Sequence, residues 1–213
     1  MNYAVTRWVF RPLSRPIGQA LARTSVTPLQ ITLVAGVLTV VASIGFALHA
    51  FVAAALVTFA AEVMDCVDGD LARLTERSSK AGAFLDSVLD RWADAALILG
   101  ITYANPSRYT VVAAAALVGS FLVSYTRARA QGLGTDTPEG LGGRDTRVLL
   151  IVIGGLTGQL YWALVLVAAV SFATALQRLV IGFRYLRKQE HTAKVSLTEK
   201  AKATLAKPVK TPK

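Results

Sequence analysis

Long apolar stretches alternate with short charged ones along this chain. From Thr24 to Ala61 there are 38 consecutive residues without a Lys, Arg, Asp or Glu. A membrane-crossing helix needs about 20 apolar residues, so this stretch predicts two, with a hairpin at His49-Ala50. Tyr109 to Thr126 is a further uncharged run of 18 residues, and Val148 to Gln177 is one of 30, broken at Gly154, Gly155, Gly158 and Gln159. Between them, Ala83 to Ala104 reads as a helix that is apolar in its second half and carries Asp86, Asp90, Arg91 and Asp94 in its first. The pattern predicts an all-α integral membrane protein with six transmembrane helices. The third is half polar, and the fifth is short unless it begins near Arg144.

Ahead of these runs, Val5, Trp8, Val9, Leu13, Ile17 and Leu21 fall near one helical face, and Arg7, Arg11 and Arg15 recur every four residues on another. That is the pattern of an N-terminal amphipathic helix lying in the membrane interface. Pro12 and Pro16 argue against a straight one. Three regions follow: an amphipathic juxtamembrane segment (1–23), a six-helix domain (24–188) and a basic, disordered tail (189–213) rich in Lys, Thr and Ala.

Charge sharpens this picture. The chain has 213 residues, with 23 Lys+Arg against 13 Asp+Glu, a formal net charge of +10. Residues 1–23 hold four Arg and no acid, and 184–213 hold nine Lys/Arg and two Glu. The segment between the fourth and fifth helices holds Arg127, Arg129, Arg144 and Arg147. Basic segments stay on the cytoplasmic side, which places both termini in the cytoplasm and the protein in the cell membrane. The net charge therefore speaks of orientation and contact with anionic membrane lipids, not of nucleic acid. With 54% hydrophobic and 17% charged residues, the chain is neither disordered nor an ordinary cytosolic enzyme. One Cys and two His leave no disulfide and no thiolate or histidine metal site. Any metal would be a hard cation held by carboxylates.

Eight of the 13 acids lie between Glu62 and Asp94. Ionised groups inside membrane helices are expensive, and they mark function unless shown otherwise. Asp65 and Asp68 are spaced i, i+3 and Asp86 and Asp90 i, i+4, so each pair shares a helix face. The two helices are joined by a short polar turn, Arg77-Ser78-Ser79-Lys80, which makes them antiparallel neighbours whose acidic faces meet. Four converging carboxylates repel one another, and two divalent cations, Mg²⁺ or Mn²⁺, would neutralise them. Gly69 and Gly82 remove side chains where a ligand or helix approaches closely. Arg73, one turn beyond Gly69, lies over the gap that glycine leaves and can reach a diphosphate. On spacing alone, a carboxylate-lined cation or proton transporter remains a rival.

Written out, the segment is Asp65-x2-Asp68-Gly69-x2-Ala72-Arg73-x8-Gly82-x3-Asp86-x3-Asp90. It resembles the complete signature of the CDP-alcohol phosphotransferase family. The upstream Val26-Thr27-Pro28-Leu29-Gln30-Ile31-Thr32 is similar to that family's opening of the first membrane helix, with Leu29 where Asn is common. The resemblance covers roughly residues 5–187. It implies six membrane helices around a polar cavity open to the cytoplasm, and transfer of a substituted phosphate from a CDP-alcohol to a second alcohol with release of CMP. It implies that Asp65, Asp68, Asp86 and Asp90 hold two metal ions, and that Asp90 is the base that deprotonates the acceptor. Asp68, Gly69, Ala72, Arg73 and Gly82 then accommodate the CDP-alcohol. Members are often homodimers.

The second half resembles the phosphatidylinositol-phosphate and archaetidylinositol-phosphate synthase branch. Ser124-Tyr125-Thr126-Arg127-Ala128-Arg129-Ala130, Arg144-x-x-Arg147 and Arg178 match its positions, and Gly143 stands where that branch has Glu. Arg127, Arg144, Arg147 and Arg178 are accordingly expected at the phosphate of a phosphorylated polyol acceptor such as inositol phosphate, with a CDP-lipid as donor. Glycerol 3-phosphate as acceptor and CDP-inositol as donor are the alternatives within the family. An isoprenoid-diphosphate prenyltransferase is a remote third reading, which the continuity of the signature disfavours.

Overall fold

The computed structural model describes residues 5–137, 140 and 142–205 of the chain. Every regular element among them is helical. A π-helical turn, Thr6–Phe10, leads into α1 (Arg11–Leu21), and six longer stretches follow: α2 (Pro28–Ala47), α3 (Phe51–Leu74), α4 (Lys80–Ala104), α5 (Pro106–Gly132), α6 (Arg144–Thr157) and α7 (Leu160–Leu205). Three of them, α2, α5 and the Leu160–Thr192 part of α7, are long and apolar enough to cross a membrane. In α3 and α4 the charged residues interrupt the apolar surface, and α6 has only 14 residues.

The breaks between helices are chemical. At the α2–α3 hairpin His49 has a φ of 63°, close to the turn expected there. Gly158, with a φ of 70°, ends α6 in the left-handed conformation that favours glycine. Gly154 and Gly155, read above as part of that break, are instead helical. A Cβ on Gly154 would lie 2.5 Å from that of Ala163, so it lets α6 and α7 approach. Pro16 sits inside α1 and Pro12 in its first turn, after the π-helical turn. Helix α7 continues through 189–205, where the sequence pattern suggested a disordered tail. Lys, Ala, Glu and Leu are good helix formers, and an existing helix extends without a new nucleus. Residues 206–213 of that tail lie outside the described residues.

The helices close into a ring. Helix α2 packs on α3 and α4, α4 on α5, α5 on α7, α7 on α6, and α6 back on α3, with α1 laid against the outside of α3. The apolar core fills one end of this ring, around Phe46, Ile98, Ile101, Ile151, Leu164 and Val167. A smaller apolar cluster, Phe10, Ile31, Val63, Val67 and Leu71, seats α1. Helices α3 and α4 scarcely touch backbone to backbone, yet their acidic side chains meet as expected. Helix α2 fills the position between them, and the gap left at its N-terminal end is where the acids converge.

Candidate active site

Asp65 and Asp68 project from one face of α3, and Asp86 reaches toward them from α4. One carboxylate oxygen from each lies within 4.8 Å of the others. Three hard oxygen donors at that spacing fit a divalent cation. Asp68 is buried and accepts a hydrogen bond from Thr32 Oγ1 at 2.5 Å. The start of α2 aims that hydroxyl. Thr27 Oγ1 accepts from the Gln30 amide at 3.4 Å, Gln30 Oε1 accepts from the Thr27 amide at 2.9 Å, and Pro28 takes a first-turn position. The Thr27-to-Thr32 segment is thus a helix cap that delivers a hydrogen-bond donor to Asp68.

Asp90 stands apart from this group. Its Oδ1 lies 3.1 Å from Arg144 Nε, and its Oδ2 lies 3.7 Å from Arg91 Nη2. Arg144 opens α6 and is the hub of the acidic cluster. Its Nη1 lies 2.8 Å from Glu62 Oε2 and 2.8 Å from Asp65 Oδ2, and its Nε 3.7 Å from Asp94 Oδ1. A buried carboxylate without counter-charge costs several kcal/mol, and this one guanidinium is in contact with four.

Two cavities meet at Asp68 and Asp86. The larger, about 390 Å³, lies between α2, α3 and α4. Asp68, Gly69, Ala72, Arg73 and Gly82, all expected to hold the CDP-alcohol, line it together with Thr27, Thr32 and Asp86. Both terminal nitrogens of Arg73 lie 3.5 Å from where a Cβ on Gly69 would be, so the guanidinium covers the glycine as its spacing predicted. Arg73 also pairs with Asp70 at 2.7 Å. Ser79 starts α4 by accepting from the Gly82 amide at 3.0 Å, which sets the far wall.

The smaller cavity, about 170 Å³, is lined by Glu62, Asp65, Asp90, Arg144 and Asp145, and also by Thr6 and Arg11 from the N-terminal segment. The two cavities share Asp68, Gly69, Arg73 and Asp86. The N-terminal wall was not foreseen. Thr6 donates its amide and its hydroxyl to Asp145 Oδ2, at 3.0 and 2.9 Å, and Ser14 Oγ donates to Asp70 Oδ2 at 2.8 Å. The only sequence signal was that Ser14 and Gly18 lie i, i+4 on the face of α1 that Phe10 also occupies.

Of the four arginines expected at an acceptor phosphate, Arg144 alone lines these cavities. Arg147 is buried, with Nη2 2.7 Å from Asp94 Oδ2 and Nη1 donating to the Gly142 carbonyl at 2.7 Å. Arg178 is buried and donates to the Val123 carbonyl at 2.7 Å. Arg127 is half-buried on α5. Asp94 is thus tied to Arg147, and it also lies 3.5 Å from Arg91, whose guanidinium meets Ser124 on α5.

Comparison with known proteins agrees with this architecture. Residues 25–175 match the CDP-alcohol phosphatidyltransferase family. The archaetidylinositol phosphate synthase of Pyrococcus horikoshii is 37% identical over 171 residues, covering 80% of this chain and 90% of the relative. The crystal structure of Mycobacterium tuberculosis phosphatidylinositol phosphate synthase with CDP-DAG bound superimposes with a TM-score of 0.71 at 27% identity, covering 81% of this chain and 94% of that one. The same enzyme in complex with manganese and citrate gives a TM-score of 0.72 at 25% identity, over 80% and 88% of the two chains. The chain belongs to the CDP-alcohol phosphatidyltransferase family, and it is a transferase of phospholipid biosynthesis. That membership sets aside the transporter reading.

Proposed function

We propose that this enzyme transfers the phosphatidyl-type group of a CDP-lipid to a phosphorylated polyol, inositol phosphate foremost, and releases CMP. The observation that carries the reading is the junction of the two cavities. A nucleotide-sized cavity bearing the family signature meets a smaller, charged one across a common wall of Asp68, Gly69, Arg73 and Asp86. A donor diphosphate lying at that wall presents its lipid-side phosphorus to a hydroxyl held in the smaller cavity.

In the reaction the acceptor oxygen bonds to that phosphorus, and the bond from phosphorus to the bridging oxygen of CMP breaks. Arg73, over Gly69, holds the diphosphate by charge-assisted hydrogen bonds. Asp90 lines the smaller cavity and not the larger, so it is on the side from which the hydroxyl arrives, and it takes the hydroxyl proton. Arg144 keeps Asp65 and Asp90 in place. Asp65, Asp68, Asp86 and Asp90 would hold two Mg²⁺ or Mn²⁺ ions, which when bound neutralise the phosphoryl oxygens and the departing CMP. Of Arg127, Arg144, Arg147 and Arg178, which the family pattern offers for the acceptor phosphate, Arg144 is the one that lines the smaller cavity.

The proposed setting is a six-span protein of the cell membrane with both termini in the cytoplasm, the site at the cytoplasmic end and α1 in the interface, as a homodimer. CMP release by the purified protein from CDP-diacylglycerol and Mg²⁺ tests the function. Inositol 1-phosphate, glycerol 3-phosphate, inositol and serine would be offered separately. Release stimulated by inositol 1-phosphate is expected, and stimulation only by an unphosphorylated alcohol would refute the reading.

A further inference from the structure

One buried carboxylate on the wall of the smaller cavity, Glu62, has no part in the reaction as proposed. Glu62 lies on α3 one turn before Asp65, and Asp94 lies on α4 one turn beyond Asp90. The chain reverses between these helices, so both steps lead the same way, toward the apolar core around Ile98 and Ile101. The acids thus form two tiers. Asp65, Asp68, Asp86 and Asp90, the set proposed to hold the metal ions, make the outer one. Glu62 and Asp94 make the inner one. Arg144 touches both tiers: Nη1 lies 2.8 Å from Glu62 Oε2 and 2.8 Å from Asp65 Oδ2, and Nε lies 3.1 Å from Asp90 Oδ1 and 3.7 Å from Asp94 Oδ1.

These four partners are not equivalent. Two positive charges compete for the oxygens of Asp65 and Asp90, the guanidinium and a bound metal ion. Asp94 is held more closely by Arg147, at 2.7 Å, and also lies 3.5 Å from Arg91. Glu62 is outside the metal-binding set and outside the contacts of Arg147. The hydrogen bond from Nη1 goes to Asp65 Oδ2. Glu62 Oε2, at the same distance, is buried and accepts no hydrogen bond among the described residues. A buried carboxylate oxygen without a donor is costly, so turning the same N–H from Asp65 to Glu62 is favoured once Asp65 is engaged elsewhere.

We propose that Glu62 is a positioning residue for Arg144. It takes the Nη1 hydrogen bond when Asp65 holds metal, and so keeps the guanidinium in the smaller cavity, where it meets the phosphate of the acceptor. The inference rests on the function proposed above and adds to it the group that holds Arg144. It also accounts for an acid on the wall of a cavity that takes an anion: Glu62 acts on the acceptor through the arginine.

The test is steady-state kinetics of the full-length protein in lipid nanodiscs, with CDP-diacylglycerol, inositol 1-phosphate and Mg²⁺, joined to Mn²⁺ calorimetry. Glu62→Gln keeps the buried shape and removes the charge. It is expected to raise KM for inositol 1-phosphate about 10-fold, the effect of losing one charge-assisted hydrogen bond, with KM for CDP-diacylglycerol and Mn²⁺ affinity unchanged. Glu62→Asp keeps the charge on a shorter arm. Its acceptor KM should fall between those of Glu62→Gln and the wild type, and it carries the test if Glu62→Gln does not fold. Adding Glu62→Gln to Arg144→Gln should raise the acceptor KM no further, because the glutamate acts through the arginine. An acceptor KM equal to that of the wild type in both Glu62 variants would overturn the proposal. So would loss of Mn²⁺ affinity in Glu62→Gln, which would make Glu62 a metal ligand. So would losses that multiply in the double variant, which would make its effect independent of Arg144. Failure of the underlying function is read separately, in the wild type: if it uses no phosphorylated acceptor, the functional reading falls and this inference with it.

Discussion

The two cavities differ in where their residues come from. The larger is built almost entirely from one stretch of chain, Thr27 to Asp86, in three consecutive helices. The smaller draws on residues as distant as Thr6 and Asp145, brought together by α1 and α6. The first is therefore written as a motif at fixed spacing, because helical geometry converts spacing into shared faces. The second is a product of packing.

The sharpest way to break this comparison is at the wall common to both cavities. Asp68→Asn removes a ligand from the carboxylate group and is expected to cost at least about 10³-fold in CMP release, with weakened Mn²⁺ binding seen directly by calorimetry. Retained Mn²⁺ affinity would separate Asp68 from the metal. The next largest effect concerns Arg147. Removing one partner of its buried pair with Asp94 is expected to destabilise the fold by about 3 kcal/mol, visible as a lower melting temperature for Arg147→Met, with acceptor KM little changed in the folded fraction. Intact stability with a raised acceptor KM would instead make Arg147 a phosphate ligand, as the family pattern implies. The smallest of the three is Thr32→Val. It removes the hydrogen bond to Asp68 while conserving shape, and is expected to weaken Mn²⁺ binding about 10-fold. No change would mean that the cap at the start of α2 is not part of how Asp68 is held.

Much of the molecule was legible in advance. The uncharged runs foretold an all-helical chain, in which three helices are long and apolar enough to cross a membrane, and the turn at His49. Asp65, Asp68, Asp86, Gly69 and Arg73 take the relations that their spacing implied. The acidic helices are instructive in another way. Their carboxylates meet as the spacing implied, but α2 packs on both helices and the meeting is made by side chains across a gap. Adjacency in sequence limits how far two helices can separate, and does not decide what enters between them. The arginines of the second half are a further case. Arg144 and Arg147 are one turn apart on α6 with the same chemistry in sequence, yet one faces the cavity and the other is buried against Asp94 and the Gly142 carbonyl.

From the sequence alone, then, came the helical class and the carboxylate signature, which depend on hydrophobic run length and on residue spacing, and the reaction came from that signature's resemblance to a known family. Packing alone decided which cations reach the site, that Arg144 contacts four acids at once, and that Thr6, Arg11 and Ser14 lie beside the acidic cluster. Those facts depend on contacts between segments up to 139 residues apart. Such contacts follow from how all seven helices pack together, and no local pattern records them.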